Sequence, residues 1–422
     1  MSSFLLVCVL LFPLAWTICN GPKVAFAQVA GGLVALAWLA SKRHLWALLR
    51  LSPFLLAGMI YAFCAYVSAE PRDTYPYQAA LVLLFYGLPT GLCLRRLVQR
   101  DQDGPVAWAM LAFAIGMTAI GFVILNNPEV QRITAVSVGG FQRTNGTDDN
   151  AIAYLHLFSI SNVIIGIIPF TLFALAAVPL ALTARSWTLR VAVGAAAILA
   201  GYANVQIATR TTLMATVLSG IAVFALAFRS IPWRRHVVYG ASLAALLLAG
   251  AGYVGMKSDR FQYLVGRFSE MGSDSRLDIW SEAVGILERT PDGHGIRQLQ
   301  SHEWAHNLFL DVGLTDGWIA IGAMMVLYGG AFYLAWKATR TPGFFAAGAN
   351  VMMLGWLLST FVASMILPPQ AAFLATMHFA LGYFTPSRGP VHEAPMEPPP
   401  AELERQWTRQ PVEDAALHGN HS

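Results

Sequence analysis

KSDRFQYLVGRFSEMGSDSRLDIWSEAVGILERTPDGHGIRQLQSHEWAHNLFLDVGLT, residues 257–315, is a polar insert in a chain made otherwise of long apolar runs. It carries three of the ten histidines, His294, His302 and His306, and the cations Lys257, Arg260, Arg267, Arg276, Arg289 and Arg297. Side chains able to do chemistry gather here. The insert therefore reads as the working surface, and the apolar runs on either side as its scaffold.

Outside the insert, composition decides the class. The chain has 422 residues, is 56% hydrophobic and 12% charged, and has a mean hydropathy of +0.55, far from the balance of a soluble domain. Its apolar runs of roughly 17–23 residues match the length a helix needs to cross a bilayer, and no alternating pattern of a transmembrane barrel is present. The expected fold is an all-α polytopic membrane protein of about twelve transmembrane helices. Cys8, Cys19, Cys64 and Cys93 all fall in apolar runs, so neither a disulfide framework nor a zinc cluster is indicated. The net charge of +4 says little about partners, because in such a chain the position of each cation matters more than the sum. No nucleic-acid partner is expected.

The expected spans lie at about 4–19, 24–40, 45–67, 78–94 and 106–125, a sixth in the run before 183, then about 191–207, one ending near 228, and about 237–256. The tenth follows Gly317, and the last two cover about 344–367 and 371–384. The first run lacks the basic start and cleavage site of a secretion signal. Spans one to nine thus occupy 1–256, with a polar loop at 127–150; the insert is 257–316, spans ten to twelve are 317–385, and 386–422 is a proline-rich, charged tail with the composition of disorder. Lysine and arginine accumulate in alternate short loops (Lys42/Arg43, Arg95/Arg96/Arg100, Arg185/Arg190, Arg229/Arg234/Arg235, Lys337/Arg340). By the charge rule those loops and both termini face the cytoplasm, and the insert faces outward.

Ionisable residues are scarce in the expected spans, with Arg50, His156, Asp311 and His378 as exceptions. That argues against an ion-coupled carrier, which needs acids or broken helices at midplane. Chemistry at the outer water boundary suits a lipid-linked substrate instead. Within the insert, Ser275-Arg276-Leu277-Asp278 has the form of a capped helix start, and Leu277, Trp280, Val284 and Leu287 recur at helical spacing before Thr290-Pro291. An amphipathic helix of about four turns, flat on the outer leaflet, is expected. Its first amides and Arg276 suit a phosphate; the alternative is a surface pair of Arg276 with Asp274 or Asp278. Arg210, between two runs on the outer side, either joins Arg276 in holding a diphosphate and stabilising its departure or snorkels to lipid phosphates. His306 sits just before an apolar run. It is either a general base for a sugar hydroxyl, with Asn307 orienting the ring, or an interfacial side chain. His294, His302 and His306, spaced by eight and then four, match no zinc motif, and Asp148-Asp149 is a weak metal candidate; neither metal nor cofactor is expected.

The combination of Ala208-Thr209-Arg210, Ser275-Arg276 with Trp280, Pro291-Asp292-Gly293-His294-Gly295, and His306-Asn307 leading into Gly313 and Gly317 resembles the bacterial O-antigen ligase and O-antigen polymerase superfamily, with the ligases the nearer. The resemblance covers the layout of the whole chain. Its specific motifs run from Arg210 to Gly317. It implies a GT-C-like, inverting, metal-independent glycosyltransferase of the inner membrane, acting at the periplasmic face. A ligase moves a glycan from undecaprenyl diphosphate to a hydroxyl of the lipid A core. A polymerase uses the same donor with a second lipid-linked repeat as acceptor. By motif, His306 would be the base, with Arg210 and Arg276 holding the diphosphate. Arg143, in a loop that matches the family loosely, would be a further donor contact, and Asn307 and Trp280 would line the substrate site. A lipid-linked glycan flippase is the reading from another class.

Overall fold

The computed structural model describes residues 3–18, 24–68, 85–97, 105–125, 276–293, 298–299, 305, 307–340 and 371–385, with a few isolated positions between 187 and 221. Every regular element among them is helical: α1 (Ser3–Ile18), α2 (Val24–Ser41), α3 (Trp46–Leu49), α4 (Ser52–Ser68), α5 (85–97), α6 (Pro105–Leu125), α7 (Arg276–Arg289), α8 (Leu308–Ala338) and α9 (Ala371–Tyr383). Among the described residues one helix, α8, is long and apolar enough to cross a bilayer, and shorter apolar helices cover Leu5–Trp16, Ala25–Ser41, Ser52–Ser68 and Leu111–Ile120. The spans expected between 126 and 256 and at 344–367, and the tail after 385, lie outside the described residues.

The first, second and fifth runs form helices within a residue or two of the expected limits. Pro105 opens α6, where its missing N–H is no loss and its fixed φ suits the helix. The third run differs from expectation, being two helices rather than one. Leu51 N–H donates to Leu48 O (2.9 Å) and Phe54 N–H to Leu51 O (2.9 Å) across the junction, both over three residues. Pro53 accounts for it: the ring has no N–H to donate and would clash with the carbonyl of Leu49, four residues back, so α3 stops and α4 restarts with proline in its first turn.

α8 packs most extensively on α4, and also on α9 and α7, while α1 packs on α2, α6 and α9. Small residues permit these approaches. Gly91 on α5 and Gly382 on α9 face one another so closely that a Cβ on either would overlap the other helix's backbone, Phe379 O in one direction and Leu88 O in the other. Gly330 on α8 receives the ring of Phe54 from α4. Pro13 of α1 rests on Gly31 of α2, and one turn earlier Leu10 O accepts from the hydroxyl of buried Tyr86 on α5 (2.5 Å). The inner faces are thus built from alanine, glycine and leucine. The outer faces also carry large apolar side chains, among them Phe12, Phe26, Leu33, Phe63 and Ile319.

Gly91→Ala and Gly382→Ala should each destabilise the bundle by about 2 kcal/mol, as overpacking of a tight contact does. The thermal midpoint of the purified protein in detergent reports it. An unchanged midpoint for both would mean that α5 and α9 do not cross there.

Candidate functional site

The described part of the insert is built on two docked elements. The 14-residue helix α7 begins at Arg276 and ends at Arg289, as the Ser275 cap and Thr290-Pro291 stop lead one to expect. Its buried face is not the expected one. Ile279, Ala283, Ile286 and Leu287 are buried, whereas Leu277 is 71% and Val284 42% exposed and Trp280 is partly buried. The contact with α8 selects the face: Gly313 leaves room for Leu287 Cδ2 and Ile321 Cδ1, either of which a Cβ there would displace. The apolar pattern of α7 is wide enough to offer two arcs, and packing on α8 takes the one with Ala283 at its centre.

After α7 the chain turns onto α8. Thr290 N–H and Oγ1 both donate to Ile286 O (2.9 Å each), and Gly293 N–H donates to Thr290 O (3.2 Å). Gly293 has φ +98° and Gly317 φ +85°, the left-handed region that suits glycine. They meet backbone to backbone. A Cβ on Gly293 would stand 2.5 Å from Thr315 O, and one on Gly317 2.8 Å from the carbonyl carbon of Asp292. Gly317 breaks α8, and the freed Trp318 N–H donates to Pro291 O instead (3.0 Å). The helix expected to begin after Gly317 therefore begins ten residues earlier at Leu308 and is broken at that glycine, because Asn307 supplies a cap before it.

That cap and its surroundings determine the backbone on both sides of His306. Asn307 Oδ1 accepts from Phe309 N–H (3.1 Å) and Leu310 N–H (3.4 Å), satisfying two amides of the first turn. Ala305 is bonded at both ends. Its N–H donates to Asp311 Oδ1 (2.7 Å), and its carbonyl accepts from the indole Nε1–H of Trp280 (2.9 Å). Asp311 is buried, and a carboxylate in the first turn of α8 also complements the positive end of the helix. Asp316, at the break, lies close enough to α4 for its charge to act on Tyr61 and Cys64.

Of the residues singled out in the sequence, Arg143, Arg210 and His306 lie outside the described residues, as do His294 and His302 and the possible zinc set. Of Arg276 the backbone is described, at the first position of α7. Trp280 and Asn307 are brought to the same place, each with a structural contact that sequence did not supply: Trp280 fastens Ala305, and Asn307 caps α8. Asp316, next to Gly317, is a carboxylate at the break that the sequence pattern alone does not single out. The signal was the pairing of Pro291-Asp292-Gly293 with a second glycine after an acid, which only becomes a contact in three dimensions.

Trp280→Phe, which keeps a ring and removes the N–H, should lower stability by about 1 kcal/mol, and Asp311→Ala, which leaves a buried amide unbonded, by about 2 kcal/mol. Gly293→Ala and Gly317→Ala should lower it by about 3 kcal/mol, combining a positive φ with overlap. Denaturant midpoints check the series. A stable Gly293→Ala protein would show that the turn does not rest on α8.

Comparison of the chain with protein-family models gives no match, and comparison with curated proteins gives none either.

Proposed function

We propose that the protein is a helical membrane glycosyltransferase that moves a glycan from undecaprenyl diphosphate to a hydroxyl of the lipid A core at the periplasmic face of the inner membrane. Helices that are apolar on the packed side and again on the exposed side support a lipid setting, since a surface helix of a soluble protein keeps a polar face. After the break, residues 318–338 of α8 rise about 30 Å, one bilayer thickness. The break and the residues before it then stand at the water boundary, where a lipid-linked substrate presents its headgroup.

One observation carries the reading most strongly. Trp280 lies one turn after Arg276 on α7 and hydrogen-bonds Ala305, the residue immediately before His306 in the chain. Among the described residues, α7 and the residue before the His306-Asn307 motif are thus joined by a partly buried hydrogen bond. In the proposed reaction His306 takes the proton of the acceptor hydroxyl as its oxygen attacks the anomeric carbon, and the bond to undecaprenyl diphosphate breaks with inversion. Arg210 and Arg276 hold the departing diphosphate and spread its charge, the task a metal performs elsewhere. Arg143 contributes a further donor contact. Asn307 and Trp280 hold the site together from within, and Trp280 also borders the sugar.

A lipid-linked glycan carrier is the second reading, because a broken helix with carboxylates beside the break, Gly317 with buried Asp311 and partly buried Asp316, is a feature of ion-coupled transport. Position separates the two: carriers place the break at midplane, and the length of 318–338 supports a break at the boundary.

Reconstitution with lipid-linked glycan and either lipid A core or a second lipid-linked unit tests the proposal. Lipid A core carrying glycan is the expected product. Lengthened lipid-linked glycan would make the protein a polymerase, and glycan moved across the bilayer with no new bond would make it a carrier. His306→Ala should lower transfer about 10²–10⁴-fold with insertion intact. Arg210→Ala and Arg276→Ala should each lower donor use about 10²–10³-fold, with lysine restoring part of it. Activity should survive chelators; loss that zinc restores would shift the chemistry to His294, His302 and His306.

A further inference from the structure

Beyond the break at Gly317, one face of α8 is open along its length. Trp318, Met325, Tyr333 and Trp336 are exposed, Trp318 at 51% and Trp336 at 44%, and their spacing puts them on one helical stripe. Gly322 and Gly329 fall on the same stripe, and among the described residues nothing stands within 4 Å of where a Cβ on either would be. The buried residues Ala320, Met324, Leu327, Ala331 and Leu334 lie on the opposite side. From Trp318 to Trp336 the helix makes about five full turns and rises about 27 Å. The two indoles therefore share a face and stand one hydrocarbon thickness apart, roughly 30 Å.

The two ends of the stripe differ in charge. At the far end the Arg340 guanidinium lies over the Trp336 ring, 4.3 Å from its centroid, and Lys337 Nζ lies 5.9 Å from the centroid of Tyr333. The Tyr333 and Trp336 rings are 6.3 Å apart. Thr339 closes the last turn beside them, its Oγ1 donating to Trp336 O (2.7 Å) and its N–H to Ala335 O (3.2 Å). Cations resting on aromatic faces keep their charge at the end of the helix. Indole and phenol rings occupy the headgroup level of a bilayer, and a basic side chain beside them reaches on toward the phosphates. Near Trp318, residues 308–317 contain neither lysine nor arginine, as the charge rule expects of the outer side.

A second copy of the chain is the other occupant that an open helix face could take. The ends of the stripe argue against it. The centre of a protein interface is poor in charge and in lysine, whereas this stripe closes on Arg340 beside Lys337. Contact between proteins also sets no distance between two tryptophans, and a bilayer does.

We propose that this face of α8 is a lipid-contact surface fixed at both headgroup levels, with Trp318 at the outer level and Tyr333, Trp336, Lys337 and Arg340 at the inner one. Asp316 and Gly317 then stand just outside the hydrocarbon. The inference rests on the membrane reading above and deepens it, since the depth of the break separates a transferase from a carrier; none of its tests depends on glycan transfer.

The first test reconstitutes the full-length protein in vesicles of phosphatidylcholine brominated either near the headgroup or near the chain ends, and compares tryptophan fluorescence of the wild type with Trp318→Phe and Trp336→Phe. The emission lost in each variant should be the part that bromine near the headgroup quenches more. The second treats Trp318→Cys, Met325→Cys and Arg340→Cys in oriented membrane vesicles with a membrane-impermeant maleimide, the wild-type chain giving the background of its own cysteines. Trp318→Cys should be labelled from the outer side, Arg340→Cys from the cytoplasmic side, and Met325→Cys from neither. Each substitution falls on an exposed position and leaves the packed side of α8 unchanged. Stronger quenching of the Trp318 emission by bromine at the chain ends, labelling of Met325→Cys, or labelling of Trp318→Cys and Arg340→Cys from the same side would overturn the proposal. So would a disulfide-linked dimer formed by Met325→Cys and not by the wild type, which would put a second copy on this face. Alkaline carbonate extraction tells the two failures apart: a chain released from membranes loses the membrane reading as well, whereas a retained chain with Trp318 at the depth of the chain ends loses only this inference.

Discussion

The backbone-to-backbone contact of Gly293 with Gly317 is the constraint on which the described part of the insert depends. Two chain segments lie so close that neither tolerates a Cβ, and both adopt a left-handed conformation that glycine enters without strain. Because Gly317 interrupts α8, Trp318 N–H is free to bond Pro291 O, so the break in one helix is satisfied by the turn that ends another. This anchors the end of α7, and with it the level at which the indole of Trp280 meets Ala305. A break left without such a partner would leave a packed backbone amide unbonded, at a cost of about 1–3 kcal/mol.

From that anchor a chain of hydrogen bonds leads to the start of α8. Trp280 and Asp311 grip the two ends of the Ala305 residue, and Asn307 caps the helix one residue after His306. A base used in catalysis gains from a rigid support, since small displacements of a catalytic group reduce the rate sharply. In the proposed enzyme, Asp311 would therefore act through the backbone, and Trp280 through the backbone as well as at the edge of the sugar site.

The distribution of charge follows one rule at both ends of the bundle. Helix interiors are assembled from Ala, Gly and Leu at close range, and charged groups are displaced to the ends. At one end this leaves Asp311 and Asp316 at the start and the break of α8; elsewhere, Arg50 follows α3, and Arg95 and Arg96 lie in α5.

Local chemistry was legible in the sequence. The apolar runs, and Ser275 and Thr290-Pro291 on either side of α7, mark helix limits through the chemistry of a few neighbouring residues, which is why α1, α2, α6 and α7 fall where expected. Pro53 carries an equally local signal, the loss of an N–H and a clash with the carbonyl of Leu49, inside an apolar run that hydropathy alone reads as continuous. The buried face of α7, the start of α8 at Leu308, and the pairing of Gly293 with Gly317 were decided by tertiary structure alone. Periodicity identifies which side chains are apolar but not which partner they meet, and a glycine shows its need for a positive φ only when another backbone lies against it.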